Sequence, residues 1–201
     1  DIVEFLNMRI PTGDVNRKNL NLHHAVNITD SFMRAVERDE MWDLIDPNDS
    51  TVRGSMKARK LWETILEVRY RTGEPYLNFI DTSNRALPQT MKDKGLKING
   101  SNLCNEIHLP TNEDRTAVCC LSSVNLEQFN EWKDTPMIRD LIRLLDNVLQ
   151  FFIEHAGDEI SKARYSAQQE RSLGLGAMGW HDFFRRNRIT CDSAEAQEWN
   201  R

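Results

Sequence analysis

The chain has 201 residues, of which 39% are hydrophobic and 28% are charged, and these values are ordinary for one soluble globular domain. Its net charge of -5 argues against a nucleic-acid-binding protein, and no apolar run approaches the roughly 18 residues that a membrane-spanning helix needs. Four cysteines do not suggest a secreted disulfide scaffold, so we expect a cytoplasmic protein with no membrane partner.

The first part of the chain predicts strands and helices in alternation. Residues 20–28 form a candidate strand, and the Thr29 hydroxyl can cap the helix that follows. The apolar residues that this helix should bury are Phe32, Met33 and Val36. A second helix is predicted over residues 55–71, and Gly73 suits the left-handed position that ends a helix. Its inward-facing residues are expected to be Leu61, Ile65, Leu66 and Val68.

The rest of the chain continues this rhythm. Residues 81–100 are polar and rich in turns, so we expect no core there. The remaining predicted elements are strands or extended runs at 76–80, 102–109, 117–126 and 173–178, and helices at 136–155 and 179–186. Pro136 suits the first position of the long helix, which carries one wide apolar stripe. The alternation favours an α/β fold, as either a parallel barrel or a doubly wound sheet.

One segment, residues 101–111, combines unusual chemistry in a short space: SNLCNEIHLPT. If it is extended, alternate side chains share a face, so Asn102, Cys104 and Glu106 should lie side by side. A carboxylate there can act as a general base towards a hydroxyl, and an amide can donate to and accept from hydroxyls. A thiol can serve as a nucleophile, as a metal ligand or as the source of a sulfur radical.

A second cysteine-bearing segment follows at residues 117–126, which read AVCCLSSVNL. Adjacent residues of a strand face opposite sides of the sheet. Only one of Cys119 and Cys120 can therefore share a surface with Cys104.

These two segments resemble the signature of the ribonucleotide reductase large subunit. The flanking stretches at residues 1–13, 22–36 and 171–184 are also similar to segments of that family, in the family's order. The resemblance covers essentially the whole chain and is closest to the class that receives its radical from a separate subunit. It implies that residues 1–201 are a partial catalytic barrel domain truncated at both ends, which we expect to be inactive alone.

The resemblance also implies a fold and a set of roles. The fold would be part of a ten-stranded α/β barrel with a central, buried finger loop. Cys104 at its tip would carry a thiyl radical, Glu106 would deprotonate the 3′-hydroxyl of the ribose, and Asn102 with Ser101 would bind the substrate. Cys119 would be one half of the redox-active disulfide. The family does not require a cysteine at the position of Cys120.

Cofactors and partners are implied in the same way. No cofactor is expected to bind within this chain, since the radical would come from a separate metal-containing subunit or, as the alternative, from adenosylcobalamin. The substrate would be a ribonucleoside diphosphate, the effectors dNTPs and ATP, and the reductant thioredoxin or glutaredoxin. The whole subunit would form a homodimer and would not bind nucleic acid.

Other interpretations of the same residues remain open. A zinc site would need Cys104, His108, Cys119 and Cys120, but their spacing does not match the usual ligand pairs, so we expect no metal. Residues 174–179 spell G-x-G-x-x-G, although the preceding run is polar, which argues against a dinucleotide site. The resemblance implies that this segment is barrel scaffold. A non-catalytic relic with a structural Cys104 is the competing hypothesis from another class.

Overall fold

The computed structural model describes residues 1–200, which form two compact units, residues 1–112 and the residues from 113 onward. Among the described residues, no helix is both long enough and apolar enough to cross a membrane. The elements of the first unit are α1 (Ile2–Asn7), β1 (Ala25–Ile28), α2 (Asp30–Glu37), β2 (Met41–Ile45), β3 (Val52–Lys57), α3 (Ala58–Thr72), β4 (Tyr76–Phe79), α4 (Ile80–Ala86) and α5 (Gln89–Lys92).

The first unit is built on a parallel pair of strands. β1 pairs with β4 in register, so that Asn27 lies opposite Asn78. Val26 and Ile28 of β1 are buried, and they pack in one core with α2 and α3. The strand begins at residue 25, whereas the sequence predicted residue 20. The predicted cap is confirmed, since the Thr29 hydroxyl accepts from the Phe32 amide at 3.1 Å.

An antiparallel hairpin of β2 and β3 was missed by the sequence analysis. Because β3 continues to Lys57, α3 begins at Ala58, so the prediction of helix from residue 55 is wrong. The predicted end is confirmed, with Gly73 at φ +78°. Three of the four predicted inward residues are buried, whereas Leu66 is 41% exposed. In α2, Phe32 and Val36 are buried as predicted and Met33 is half-buried.

The prediction that residues 81–100 hold no core is also wrong. This segment contains α4 and α5, and the side chains of Leu87 and Ile98 are buried. Asn84 of α4 fixes the backbone of Ile98 from both sides, because its Nδ2 donates to the Ile98 carbonyl and its Oδ1 accepts from the Ile98 amide. Both distances are 2.9 Å. A single asparagine therefore anchors the chain just before the cysteine-bearing segment.

The second unit has a similar plan. Its elements are β5 (Cys120–Asn125), α6 (Phe129–Trp132), α7 (Met137–His155), α8 (Ser161–Glu170), β6 (Leu173–Met178), α9 (Trp180–Asn187) and α10 (Ala194–Trp199). β5 and β6 pair in parallel, and the connection between them contains α6, α7 and α8. Leu149, Ile153 and Ala167 of these helices are buried in one core, against which Cys120 and Leu173 pack.

The long helix, β6 and α9 lie where the sequence predicted them, with small differences at their ends. Pro136 is the N-cap residue of α7 and not its first helical residue. The buried stripe of α7 is narrower than predicted, since Val148 is 50% exposed and Ile142 is 44% exposed. Two parallel pairs with helical connections agree with the predicted α/β class.

Candidate thiol sites

The segment around Cys104 forms a tight turn, and the prediction of an extended run over residues 102–109 is wrong. The Asn105 amide donates to the Asn102 carbonyl at 3.0 Å, so Leu103 and Cys104 occupy the corner positions. Asn105 takes a left-handed conformation with φ +63°, which asparagine tolerates better than most residues. Because the turn breaks the alternation, the argument from a shared strand face does not hold, and Cys104 stands at the tip.

Asn102 holds this turn together from within. Its Oδ1 accepts from the backbone amides of Glu106 and Ile107, at 3.1 and 3.0 Å. The Ser101 hydroxyl donates to the Ile107 carbonyl at 2.7 Å, which closes the turn on its other side. Among residues 1–200, the structure gives the Nδ2 of Asn102 no hydrogen-bond partner, so only its donor side remains for a ligand. The sequence predicted that the Asn102 amide would both donate to and accept from substrate hydroxyls, and the structure corrects this to donation alone.

The turn does bring the predicted side chains into one short stretch. Cys104 and Glu106 are exposed, as is Asn102, while Ser101 is half-buried. The expectation of a buried loop is not met within the described part of the chain. A thiol, a carboxylate and an amide donor thus project from a single turn whose backbone is closed by side-chain hydrogen bonds.

The base of the turn rests on asparagines that the sequence analysis did not single out. Asn78, whose side chain lies in the core, donates from Nδ2 to the Oδ1 of Asn27 at 2.7 Å. The His108 Nε2 lies 3.0 Å from the Oδ1 of Asn78, and Asn27 donates to the Asn99 carbonyl at 3.0 Å. The available signal was an asparagine inside each of two otherwise apolar strands, AVNI and YLNF.

The second thiol segment follows the predicted geometry. Cys120 faces the helices and packs in their core, whereas Cys119 lies on the other face, beside Gly174 of β6. A Cβ added to Gly174 would stand 3.4 Å from the Cys119 sulfur and 2.3 Å from the Leu121 Cδ2. Leu121 is half exposed, at 51%. Cys119 is half-buried on the face of the strand pair that α7 and α8 leave uncovered.

The glycine-rich stretch is scaffold and not a phosphate loop. Gly174 and Gly176 lie within β6, opposite Leu121 and Ser123 of β5. A Cβ at Gly176 would approach the Ser123 hydroxyl to 3.2 Å. In a dinucleotide fingerprint these glycines would instead form the turn between a strand and a helix. Here the missing side chains allow close packing across the open face of the strand pair.

The zinc interpretation gains no support from the side chains that the structure describes. Within residues 1–200, no three histidine, cysteine or acidic side chains form a group that could hold a metal ion. The His108 Nε2 is instead engaged with Asn78. The absence of a zinc site stays a prediction from the spacing of Cys104, His108, Cys119 and Cys120.

The fold is of the α/β class. The first unit carries the Cys104 thiol on a turn closed by side-chain hydrogen bonds, and the second carries the Cys119 thiol beside an uncovered face of its strand pair. The chain belongs to the ribonucleotide reductase family, since the family model described as "Ribonucleotide reductase, barrel domain" matches residues 1–201. Membership agrees with the resemblance inferred from the two cysteine-bearing segments.

Several known proteins are similar over almost the whole chain. The putative ribonucleoside-diphosphate reductase large subunit of Frog virus 3 (isolate Goorha) is 62% identical over 199 residues, which are 98% of this chain and 35% of that protein. The large subunit of Invertebrate iridescent virus 3 is 39% identical, with 98% and 40% covered. The solved class Id ribonucleotide reductase alpha subunit of Actinobacillus ureae has a TM-score of 0.81 at 35% identity, covering 100% of this chain and 35% of that structure. The chain thus spans little more than a third of the length of these relatives.

Proposed function

We propose that this chain is part of the catalytic large subunit of a ribonucleoside-diphosphate reductase, which makes deoxyribonucleotides for DNA synthesis. The observation that carries the proposal is the turn at residues 101–107, which presents a thiol, a carboxylate and an amide donor in a member of this family. The relatives' printed names, ribonucleoside-diphosphate reductase large subunit, support the same activity.

In this proposal the turn performs the hydrogen-atom chemistry. Cys104, as a thiyl radical, takes the hydrogen atom from the 3′-carbon of the ribose and becomes a thiol. The Glu106 carboxylate accepts the proton of the 3′-hydroxyl as general base. The Nδ2 of Asn102 donates to a substrate hydroxyl. Ser101 contributes as an acceptor, because its own hydrogen is engaged by the Ile107 carbonyl.

Cys119 supplies part of the reducing power. The 2′-hydroxyl leaves as water with a proton from a thiol, and the two electrons come from Cys119 and a second cysteine, which together form a disulfide. Cys104 then returns its hydrogen atom to the 3′-carbon and is again a thiyl radical. The sum is one ribonucleotide and two thiols giving one deoxyribonucleotide, one disulfide and one water. No cysteine precedes Cys104 in these 201 residues.

The finer fold and the partners complete the proposal. The parallel pairs β1–β4 and β5–β6 would belong to a ten-stranded barrel, with the Cys104 turn as the tip of its finger loop. A separate metal-containing subunit, or adenosylcobalamin, would supply the initiating radical. Thioredoxin or glutaredoxin would reduce the disulfide, dNTPs and ATP would act as effectors, and the whole subunit would be a cytoplasmic homodimer.

The test is a pair of cysteine variants in the complete protein that carries this sequence. Cys104→Ser should abolish deoxynucleotide formation and keep nucleotide binding, because the hydroxyl cannot form the radical at an accessible energy. Cys191→Ser is the matched control, since Cys191 is also exposed and lies outside both thiol segments. Product formation that survives Cys104→Ser would refute the radical role and favour a non-catalytic relic. Equal loss of deoxynucleotide formation in Cys104→Ser and Cys191→Ser would show that the substitutions disturb folding and not the chemical step.

The proposed base has a separate test. Glu106→Gln keeps the size of the side chain and removes the carboxylate, so nucleotide binding should persist while turnover falls by about 100-fold or more, the usual contribution of a general base. Unchanged turnover in this variant would remove Glu106 from the mechanism.

A further inference from the structure

We propose that His108 is a positioning residue for the Cys104 turn, and that it acts through Asn78 and Asn27 on the first parallel strand pair. The inference rests on the proposed function, because the turn matters only if Cys104 reacts. It adds residues that lie outside the thiol, carboxylate and amide already assigned roles.

The hydrogen-bond network of His108, Asn78, Asn27 and Asn99 is centred on the buried side-chain amide of Asn78. Asn78 is only 2% exposed, at the centre of β4, and burying an amide is costly unless its hydrogen bonds are satisfied. Its partner across the strand pair is Asn27, which lies directly opposite in register and accepts from the Asn78 Nδ2 at 2.7 Å. Asn78 Oδ1 therefore needs a donor, which His108 supplies.

The direction of each bond follows from this arrangement. Because Asn78 Oδ1 is an acceptor, His108 Nε2 must carry its hydrogen and donate, over 3.0 Å. Asn27 uses its Oδ1 for Asn78 and its Nδ2 for the Asn99 carbonyl, at 3.0 Å. The result is one continuous donor-to-acceptor chain from His108 through both strands to Asn99, in which each bond polarises the next.

These hydrogen bonds hold the residues on both sides of the turn. Asn99 lies three residues before Asn102, and His108 lies four residues after Cys104. The segments before and after the turn are also joined directly, because Asn99 Nδ2 donates to the Thr111 carbonyl at 2.6 Å. The strand pair thereby fixes where the turn starts and where it ends, and Asn102 fixes its shape between those points.

A purely stabilising role would not need such residues. Apolar side chains of similar volume often stabilise a core as well as a buried polar network does, whereas a satisfied network specifies one geometry. A reacting atom displaced by about 1 Å can cost about 100-fold in rate. The network therefore fits the task of holding a thiol in one place, and its loss should affect turnover more than stability.

The experiment compares two replacements of His108 in the complete protein. His108→Gln keeps an N–H donor that can reach the position of Nε2, and His108→Leu removes it. His108→Leu should lower kcat by about tenfold to 100-fold with an unchanged KM for the nucleotide, and should speed amide hydrogen exchange at Glu106 and Ile107. His108→Gln should recover most of both. His181→Leu, at an exposed histidine outside the network, should change neither quantity.

The outcomes separate this inference from the proposed function. Unchanged kcat in His108→Leu would overturn the positioning role, whatever happens to exchange, while an inactive Cys104→Ser leaves the proposed function standing. If His108→Leu does not fold, Asn27→Ala cuts the same chain at an exposed side chain and should lower kcat in the same way. An unaffected kcat in Asn27→Ala would refute the inference. An active Cys104→Ser would remove the function first, and with it the role of the network.

Discussion

Replacement of Asn102 by alanine tests how the turn is held. The variant loses the oxygen that accepts from the Glu106 and Ile107 amides. Each such bond contributes about 0.5–1.5 kcal/mol, and the lower half of that range applies here because water can reach an exposed side chain. The local stability of the turn should therefore fall by about 1–2 kcal/mol, which corresponds to exchange of these two amides that is about 5–30 times faster.

The measurement is amide hydrogen exchange in the complete protein, with Asn102→Asp as the matched control. Aspartate keeps an oxygen for both backbone amides and lacks the Nδ2 donor. It should retain protection of the Glu106 and Ile107 amides, yet lose turnover as Asn102→Ala does, because the donor to the substrate is missing. Unchanged exchange in Asn102→Ala would show that the side chain does not hold the turn. Full turnover in Asn102→Asp would show that Nδ2 does not contact the substrate.

Three further predictions concern stability, measured as the free energy of unfolding in urea. Gly174→Ala should destabilise the protein by about 1 kcal/mol, because its Cβ would stand 2.3 Å from the Leu121 side chain, which must rotate away. Arg115→Met should cost about 3–5 kcal/mol, because it removes one partner of the 2.7 Å ion pair between Arg115 and Glu170, whose side chains are only 9% and 4% exposed. Burial lowers the pKa of His24, so the unfolded chain takes up a proton below a pH of about 6.5 while the folded protein does not, and stability should fall as the pH drops through that range.

Each of these predictions has its control. Gly54→Ala places a Cβ where no heavy atom lies within 4 Å, so equal destabilisation at both glycines would refute the packing argument. Joint replacement of Arg115 and Glu170 by apolar residues should cost less than Arg115→Met alone, and a larger cost would contradict the explanation by loss of one partner of a buried ion pair. His24→Phe should reduce the loss of stability between about pH 7 and pH 5. An unchanged pH dependence would exclude His24 as its source.

Features that depend on a few neighbouring residues could be predicted from the sequence. The Thr29 cap, the Gly73 helix end and strand β6 lie where local side-chain chemistry placed them. Each depends on a hydroxyl that reaches the first turn, on freedom to adopt positive φ, or on a β-prone run. Such signals act over one or two turns of chain and do not need tertiary structure.

The β2–β3 hairpin could not be derived in the same way. β3 reads VRGSMK, which has little apolar alternation, and the helix-forming pattern of the α3 residues that follow it extends back into its last residues. The pairing also shifts register between Leu44 and Ile45. What sets this strand is its partner, and partner choice between short polar strands is a tertiary property. A turn signal was present nonetheless, since Asp46 and Asp49 accept from backbone amides two residues on.

The candidate site shows the same division. Residue chemistry selected Asn102, Cys104 and Glu106, the family resemblance added Ser101, and all four belong to the closed turn. Their geometry was wrong because strand periodicity was assumed where Asn102 bonds to backbone amides four and five residues ahead. Such side-chain-to-backbone hydrogen bonds leave no repeating pattern of residues in the sequence, so periodicity could not reveal them. The anchoring asparagines were missed for a related reason, since an amide inside an apolar strand acquires its meaning only from its partner.

The exposure of Cys104 sets a condition on the proposed chemistry. A thiyl radical must be kept from solvent and from other reductants for the time between its formation and the return of the hydrogen atom. Residues 1–200 hold the turn firmly but leave its tip uncovered. In the proposed reaction, shielding must therefore come from the bound nucleotide and from protein outside these residues. In the proposed reaction, the described turn would hold the thiol in position through hydrogen bonds to its own backbone, and the bound nucleotide and the surrounding protein would exclude water.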